Sequence, residues 1–254
     1  MSEITVICCW NNEQQYSDFV NSLNMQTLSY ELISIDNRNN KAFASCAAAY
    51  NSVINEVKTK YVVYSHQDIM LNLPDALSRF VSFLSRTNND DILGVAGVRL
   101  DSEICFSNIL HVEPETGELI PAGELPSDNG MTECFTLDEC FFGGHTEHFK
   151  AFPFNERICN GWHLYAAEAC LRTQSVRNTA GGEAGKVYAC DVPLIHNSID
   201  GTNYAFYRQF FSLCRHYAKH FPRIKTTCTD GKTDFLHRYI RIVHAALKYK
   251  FADK

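Results

Sequence analysis

His66 and Asp68 stand two positions apart, just past the apolar run Tyr61-Val62-Val63-Tyr64. A short run of β-branched and aromatic residues reads as a strand buried on both faces. It stops abruptly at Ser65-His66-Gln67-Asp68. An imidazole and a carboxylate there offer two ligands to one divalent cation, where the strand opens to solvent. In an open parallel sheet, ligands bind at the carboxyl ends of the strands.

The elements before this strand place more polar groups at the same level. Residues 4–10, Ile-Thr-Val-Ile-Cys-Cys-Trp, form a first strand that ends at Asn11-Asn12. Tyr16, Phe19, Val20 and Leu23 repeat at helical spacing across 13–25. Residues 30–35 form a second strand, which ends at Asp36-Asn37. Phe43, Ala47, Tyr50, Ile54 and Val57 mark a second helix over 43–57. Units of about 30 residues in the order β-α-β-α-β are right-handed crossovers in a parallel sheet. The three polar strand ends should therefore lie side by side on one rim.

Glycines count against two nucleotide folds that begin this way. The dinucleotide fingerprint needs G-x-G-x-x-G after the first strand, and Trp10-Asn11-Asn12-Glu13 contains no glycine. The P-loop tail Gly231-Lys232-Thr233 has Thr226 where the first glycine belongs. A diphosphate on this rim would need another source of positive charge, and a divalent cation is the obvious one.

Further on, helices are expected at 73–84 and 162–174, and strands at 92–100, 133–142 and 186–192. Gly143-Gly144 should break the strand before it. The stretch 111–130 reads as loops with a hairpin turn at Thr116-Gly117. Two helices close the chain, an aromatic one at 204–220 and a basic amphipathic one at 234–251. Leu236, Ile240, Val243 and Leu247 form the apolar stripe of the last helix, and Arg238, Arg241, Lys248 and Lys250 its basic one. Docking on the rest of the chain or on a second copy is the first reading of that helix. Contact with an anionic membrane surface is the second.

The chain has 254 residues and a net charge of −6, which argues against nucleic acid as the partner. With 45% hydrophobic residues it can bury a large core. Neither a basic N-terminal segment nor an apolar run of about 18 residues is seen, so no signal peptide or transmembrane span is expected. Eleven cysteines without C-x-x-C spacing read as free thiols in a reducing cytoplasm.

Taken in order, ITVICCWNN, YELISIDN and KYVVYSHQD resemble the nucleotide-sugar half of family-2-type glycosyltransferases with the GT-A fold. Residues 137–144 (LDECFFGG), 152–156 (FPFNE), 161–172 (GWHLYAAEACLR) and 195–198 (IHNS) resemble later motifs of the same group. The resemblance covers roughly residues 4–200. It implies an α/β, mixed but mainly parallel sheet flanked by helices, with 201–254 as a helical C-terminal extension. It places Asn11, Asp36, Asn37 and His66 at the nucleotide, with His66-Gln67-Asp68 where the family has a metal-binding D-x-D. His66 replaces the first acid, and the pattern leaves open whether it takes metal, ribose or neither.

The implied reaction is metal-dependent transfer of a sugar from a UDP-, GDP- or dTDP-sugar to a hydroxyl of a glycan or lipid-linked acceptor, with inversion. Asp68 and His196 are the expected ligands of Mn2+ or Mg2+, and imidazole shifts the choice toward Mn2+. A core or capping histidine is the competing reading of His196. The resemblance places the acceptor at Trp162 and His163. It ranks Glu168 first as the base on the acceptor hydroxyl, ahead of Glu156 and Asp138. Two other functions fit less of the sequence: an inactive nucleotide-sugar-binding protein, suggested by the altered D-x-D, and a dinucleotide oxidoreductase using Asp36.

Overall fold

A computed structural model describes residues 2–113, 115–175, 184–197 and 202–249. Ser198 and Lys250, singled out above, lie outside the described residues. The chain opens with β1 (Ile4–Trp10), α1 (Glu13–Asn24), β2 (Glu31–Asp36), α2 (Cys46–Val53) and β3 (Tyr61–Ser65). Strand β1 lies between β2 and β3 and runs parallel to both, with Trp10 opposite Asp36 and Cys8 opposite Ser65. The three polar strand ends share one rim, as the crossover lengths predict.

Helix starts follow from local chemistry. The side chains of Asn12 and Ser45 accept the amide hydrogens of Gln15 and Ala48. Helix α2 starts later than expected because buried Asn37 claims the preceding stretch. Its Oδ1 accepts from the amides of Ala42 and Phe43, and its Nδ2 donates to the Phe43 carbonyl.

Then come β4 (Ile69–Met70), α3 (Ala76–Leu84), β5 (Ile92–Gly94) and β6 (Ala96–Val98). The single strand expected over 92–100 is thus two strands, which part at Val95 into different sheets. Next are β7 (Cys105–Ser107), β8 (Ile109–Val112) and β9 (Leu119–Pro121), the last two paired as a hairpin. Gly117 sits in its turn at φ +72°. After β10 (Met131–Glu133) and β11 (Thr136–Leu137), β12 (Phe141–His145) runs straight through Gly143-Gly144. The expected break is absent because those glycines serve packing: a Cβ on Gly143 would collide with the Val62 carbonyl of β3.

The remaining elements are α4 (Thr146–Ala151), α5 (Tyr165–Ser175), β13 (Val187–Cys190), β14 (Leu194–His196), α6 (Tyr204–Tyr217), β15 (Arg223–Lys225), β16 (Asp230–Lys232) and α7 (Phe235–Tyr249). The main sheet has the order β10-β13-β5-β12-β3-β1-β2. Strand β12 is antiparallel to both its neighbours and β10 to β13; the other pairings are parallel. One core layer joins Tyr50, Tyr64, Phe142 and Tyr165 with residues of α6, and the other joins Phe19, Phe80 and Phe141. A second sheet, β4-β14-β8-β9, stands at the carboxyl end of β3.

Helix α7 docks on α6 through its basic face. Arg241 and Arg238 stack on Phe210 and Phe211 of α6, 5.5 and 5.6 Å from the ring centres. The stripe Leu236, Ile240, Val243 and Leu247 is exposed. Among the described residues no helix is long and apolar enough to cross a membrane.

Candidate functional site

A cleft of about 440 Å³ opens at the carboxyl ends of β1 and β3. His66 enters it as the chain leaves β3, its amide held by the Cys140 carbonyl. The His66 Nε2 is 2.9 Å from the hydroxyl of buried Tyr165, which leaves Nδ1 turned toward Asp68 Oδ1 at 3.9 Å. Strand β14 brings His196 to the same place. It pairs with β4, with His196 opposite Ile69, and the Asn197 amide donates to the Asp68 carbonyl. His196 Nε2 then lies 3.5 Å from Asp68 Oδ1.

One ligand atom from each of His66, Asp68 and His196 can be chosen so that all three lie within 4.8 Å of one another. Asp68 Oδ1 is buried and has no hydrogen-bond partner among the described residues. A carboxylate oxygen in that state, flanked by two imidazoles, fits a divalent cation. Burial alone would raise the Asp68 carboxyl, but the nearby imidazoles of His196 and His66 hold it below the usual range. Burial pushes His66 down, toward the neutral form that coordinates metal.

The middle residue of His66-Gln67-Asp68 is a brace. Gln67 Oε1 accepts from the amides of Asn11 and Asn12, and its Nε2 donates to Asn11 Oδ1. It ties the end of β1 to the end of β3. Asn11 and Asn37 both line the cleft. Asp36 does not: it lies exposed on the rim at the end of β2, its carboxylate clasped by the Arg38 guanidinium.

The expected bases separate in the same way. Glu168 is fully buried. It accepts from the Tyr217 hydroxyl at 2.8 Å and faces Arg172 at 3.6 Å, turned toward α6 and outside the cleft. Glu156 is exposed and binds Asn51 Nδ2 at 2.8 Å, also outside the cleft. Neither carboxylate lines the cleft. Asp138 does line the cleft, with Oδ1 accepting from the Cys140 amide and Oδ2 from Thr227 Oγ1. Burial raises its carboxyl, but the Thr227 hydrogen bond and nearby histidine charges keep it low overall.

Glu139 was missed in the sequence. Burial, then the adjacent Asp138 charge, push its carboxyl up to about 8. Its Oε1 accepts the amide of Leu164, a residue at φ +66°. That left-handed turn is uncommon for leucine and explains why α5 begins at Tyr165 rather than Trp162. Trp162 and His163 therefore lie ahead of the helix, and both line the cleft. His111 of β8, read as loop, also lines it, and its pairing partner across the sheet is His196. Among the described residues, no Lys or Arg lines this cleft.

Residues 5–181 match the Glycosyltransferase like family over well more than half of the chain. The chain belongs to that family. No curated protein sequence matches this glycosyltransferase-family chain. Its fold is similar to that of S. aureus TarS 1-349, with a TM-score of 0.54 at 14% identity, covering 86% of this chain and 65% of that one. TarS 1-349 is also known in complex with UDP-GlcNAc and with UDP. The mannosyltransferase PcManGT of Pyrobaculum calidifontis, in complex with GDP-Man and Mn2+, gives a TM-score of 0.55 at 12% identity. That match covers 99% of this chain and 70% of that one. GalNAc-T7 with UDP, GalNAc and Mn2+ gives 0.56 at 10% identity, covering 87% of this chain and 51% of that one. The glycosyltransferase-family chain thus has the GT-A fold and spans about two thirds of TarS 1-349.

Proposed function

We propose that this chain transfers a sugar from a nucleoside diphosphate to an acceptor hydroxyl, with inversion, using a divalent cation held by His66, Asp68 and His196. The observation that carries the reading is the meeting of these three side chains in one cleft that, among the described residues, no Lys or Arg lines. The family and the nucleotide-bound relatives support it.

A bound divalent cation supplies Lewis-acid stabilisation of the charge that grows on the departing diphosphate. Tyr165 fixes the ring of His66, and Gln67 fixes the rim. Asn11 and Asn37 face the nucleoside, and Trp162 and His163 face the acceptor. We assign the base to Glu139. Asp138 stays ionised and raises the proton affinity of its neighbour, and such a split pair separates charged from proton-carrying roles. The acceptor oxygen bonds to the anomeric carbon, the bond from that carbon to the diphosphate oxygen breaks, and the hydroxyl proton passes to Glu139. A reducing compartment suits the eleven free cysteines.

Thermal-shift measurement with UDP, GDP or dTDP, with and without Mn2+, tests the reading. At least one nucleotide should raise the melting temperature only with the ion, and Asp68→Ala should abolish the shift. An equal shift in the variant removes Asp68 from the site. Binding without hydrolysis or transfer of any UDP-, GDP- or dTDP-sugar leaves a nucleotide-sugar-binding protein in place of an enzyme.

A further inference from the structure

We infer that His111 is a fourth ligand of the same cation, and that the centre selects Mn2+, Co2+ or Zn2+ over Mg2+. The inference rests on the metal reading proposed above. Strands β8 and β14 are parallel neighbours, and His111 stands opposite His196 in register. Their ring centres are 5.3 Å apart, closer than the 6.0 Å between His66 and His196. His111 Nδ1 is buried and has no hydrogen-bond partner among the described residues. A buried imidazole nitrogen left in that state is costly, and in a cleft beside two other candidate ligands a cation explains it.

The close group of ligand atoms within 4.8 Å does not include His111. Ligation therefore needs a rotation of its ring. Strand β8 is paired on both sides, with β14 and with β9, so its backbone is held and the ring is the part that would move.

Charge gives this arrangement a purpose. Two carboxylates on a divalent ion would cancel its charge. One carboxylate and three neutral imidazoles leave a net charge of about +1 facing the diphosphate. No Lys or Arg lines the cleft among the described residues, and the ion would supply this charge. Mg2+ prefers oxygen ligands, whereas imidazole suits the later divalent metals.

Co2+ is the probe. The metal-free protein is titrated with Co2+ while its visible d–d absorption is followed, and Mg2+ is then added as competitor. Wild type should bind Co2+, and Mg2+ should displace it poorly. His111→Ala should weaken binding by roughly tenfold or more and shift the absorption band, with the metal-free melting temperature unchanged. His111→Asn serves if the alanine variant does not fold. Unchanged affinity and spectrum would overturn the inference alone. Weaker binding with an unchanged spectrum would also overturn it, making His111 a positioning residue. Wild type that binds no Co2+ would overturn the metal reading together with the inference.

Discussion

The hydroxyl of Tyr165, 2.9 Å from His66 Nε2, decides which nitrogen of that ring faces Asp68. Groups behind a metal ligand set its orientation and basicity. Tyr165→Phe should therefore weaken Mn2+ binding roughly tenfold, measured by calorimetry. Glu139 adds a pH dependence. Its carboxyl rises from 4.5 to about 8 in the fold. A raised carboxyl holds its proton more tightly when folded, so its contribution to stability is full below 4.5 and is lost as pH climbs through about 8. Glu139→Gln keeps an acceptor for the Leu164 amide and removes the titration. The variant should melt higher than wild type at pH 9 and transfer sugar about 10²-fold more slowly or worse. Parallel melting-versus-pH curves for the two proteins would place the titration elsewhere. At this scale the sequence pointed to Asp68 and His196 as neighbours, and the fold brings them together with His66. It was illegible for Glu168, because an acid inside a helix looks the same whether it meets water or Tyr217.

Elements were legible where their own periodicity speaks. The alternation of β1, α1, β2, α2 and β3, and the rim they build, follow from apolar spacing and crossover length. Boundaries failed where a distant side chain intervenes: Asn37 at the start of α2, and Glu139 at the start of α5. Gly143 was read as a break because the sequence does not reveal which backbone lies opposite. It lies in β12 between β3 and β5, against the Val62 carbonyl. Gly143→Ala should destabilise the protein by about 3 kcal/mol or more, since backbone must shift to admit the methyl group. Denaturant titration measures this, and a loss below about 0.5 kcal/mol would show that the two strands separate easily.

For the whole molecule, the C-terminal residues are part of the site's construction. Thr227, in the turn between β15 and β16, donates to Asp138, and Cys228 lines the cleft. The proposed division at residue 200 therefore marks a change in composition more than a boundary of function. Tyr217 of α6 donates to buried Glu168 of α5 and joins the two helices. Tyr217→Phe strips that carboxylate of the hydroxyl and should cost about 1–3 kcal/mol. Metal affinity should stay unchanged, because the pair lies outside the cleft. A parallel loss of metal binding would show that α6 positions the site. The outward stripe of α7 is the whole-molecule feature least visible from the sequence. Helical spacing defines a stripe but not its direction, and here the arginines stack on α6.

The proposed cation ligands belong to two separate sheets. His66 and Asp68 follow β3 of the main sheet, whereas His196 ends β14 of the smaller one. An ion held between them would rivet the two sheets at their meeting point. The hairpin of β8 and β9 hangs from β14, so loading the ion would stiffen the roof of the cleft as well as charge its floor.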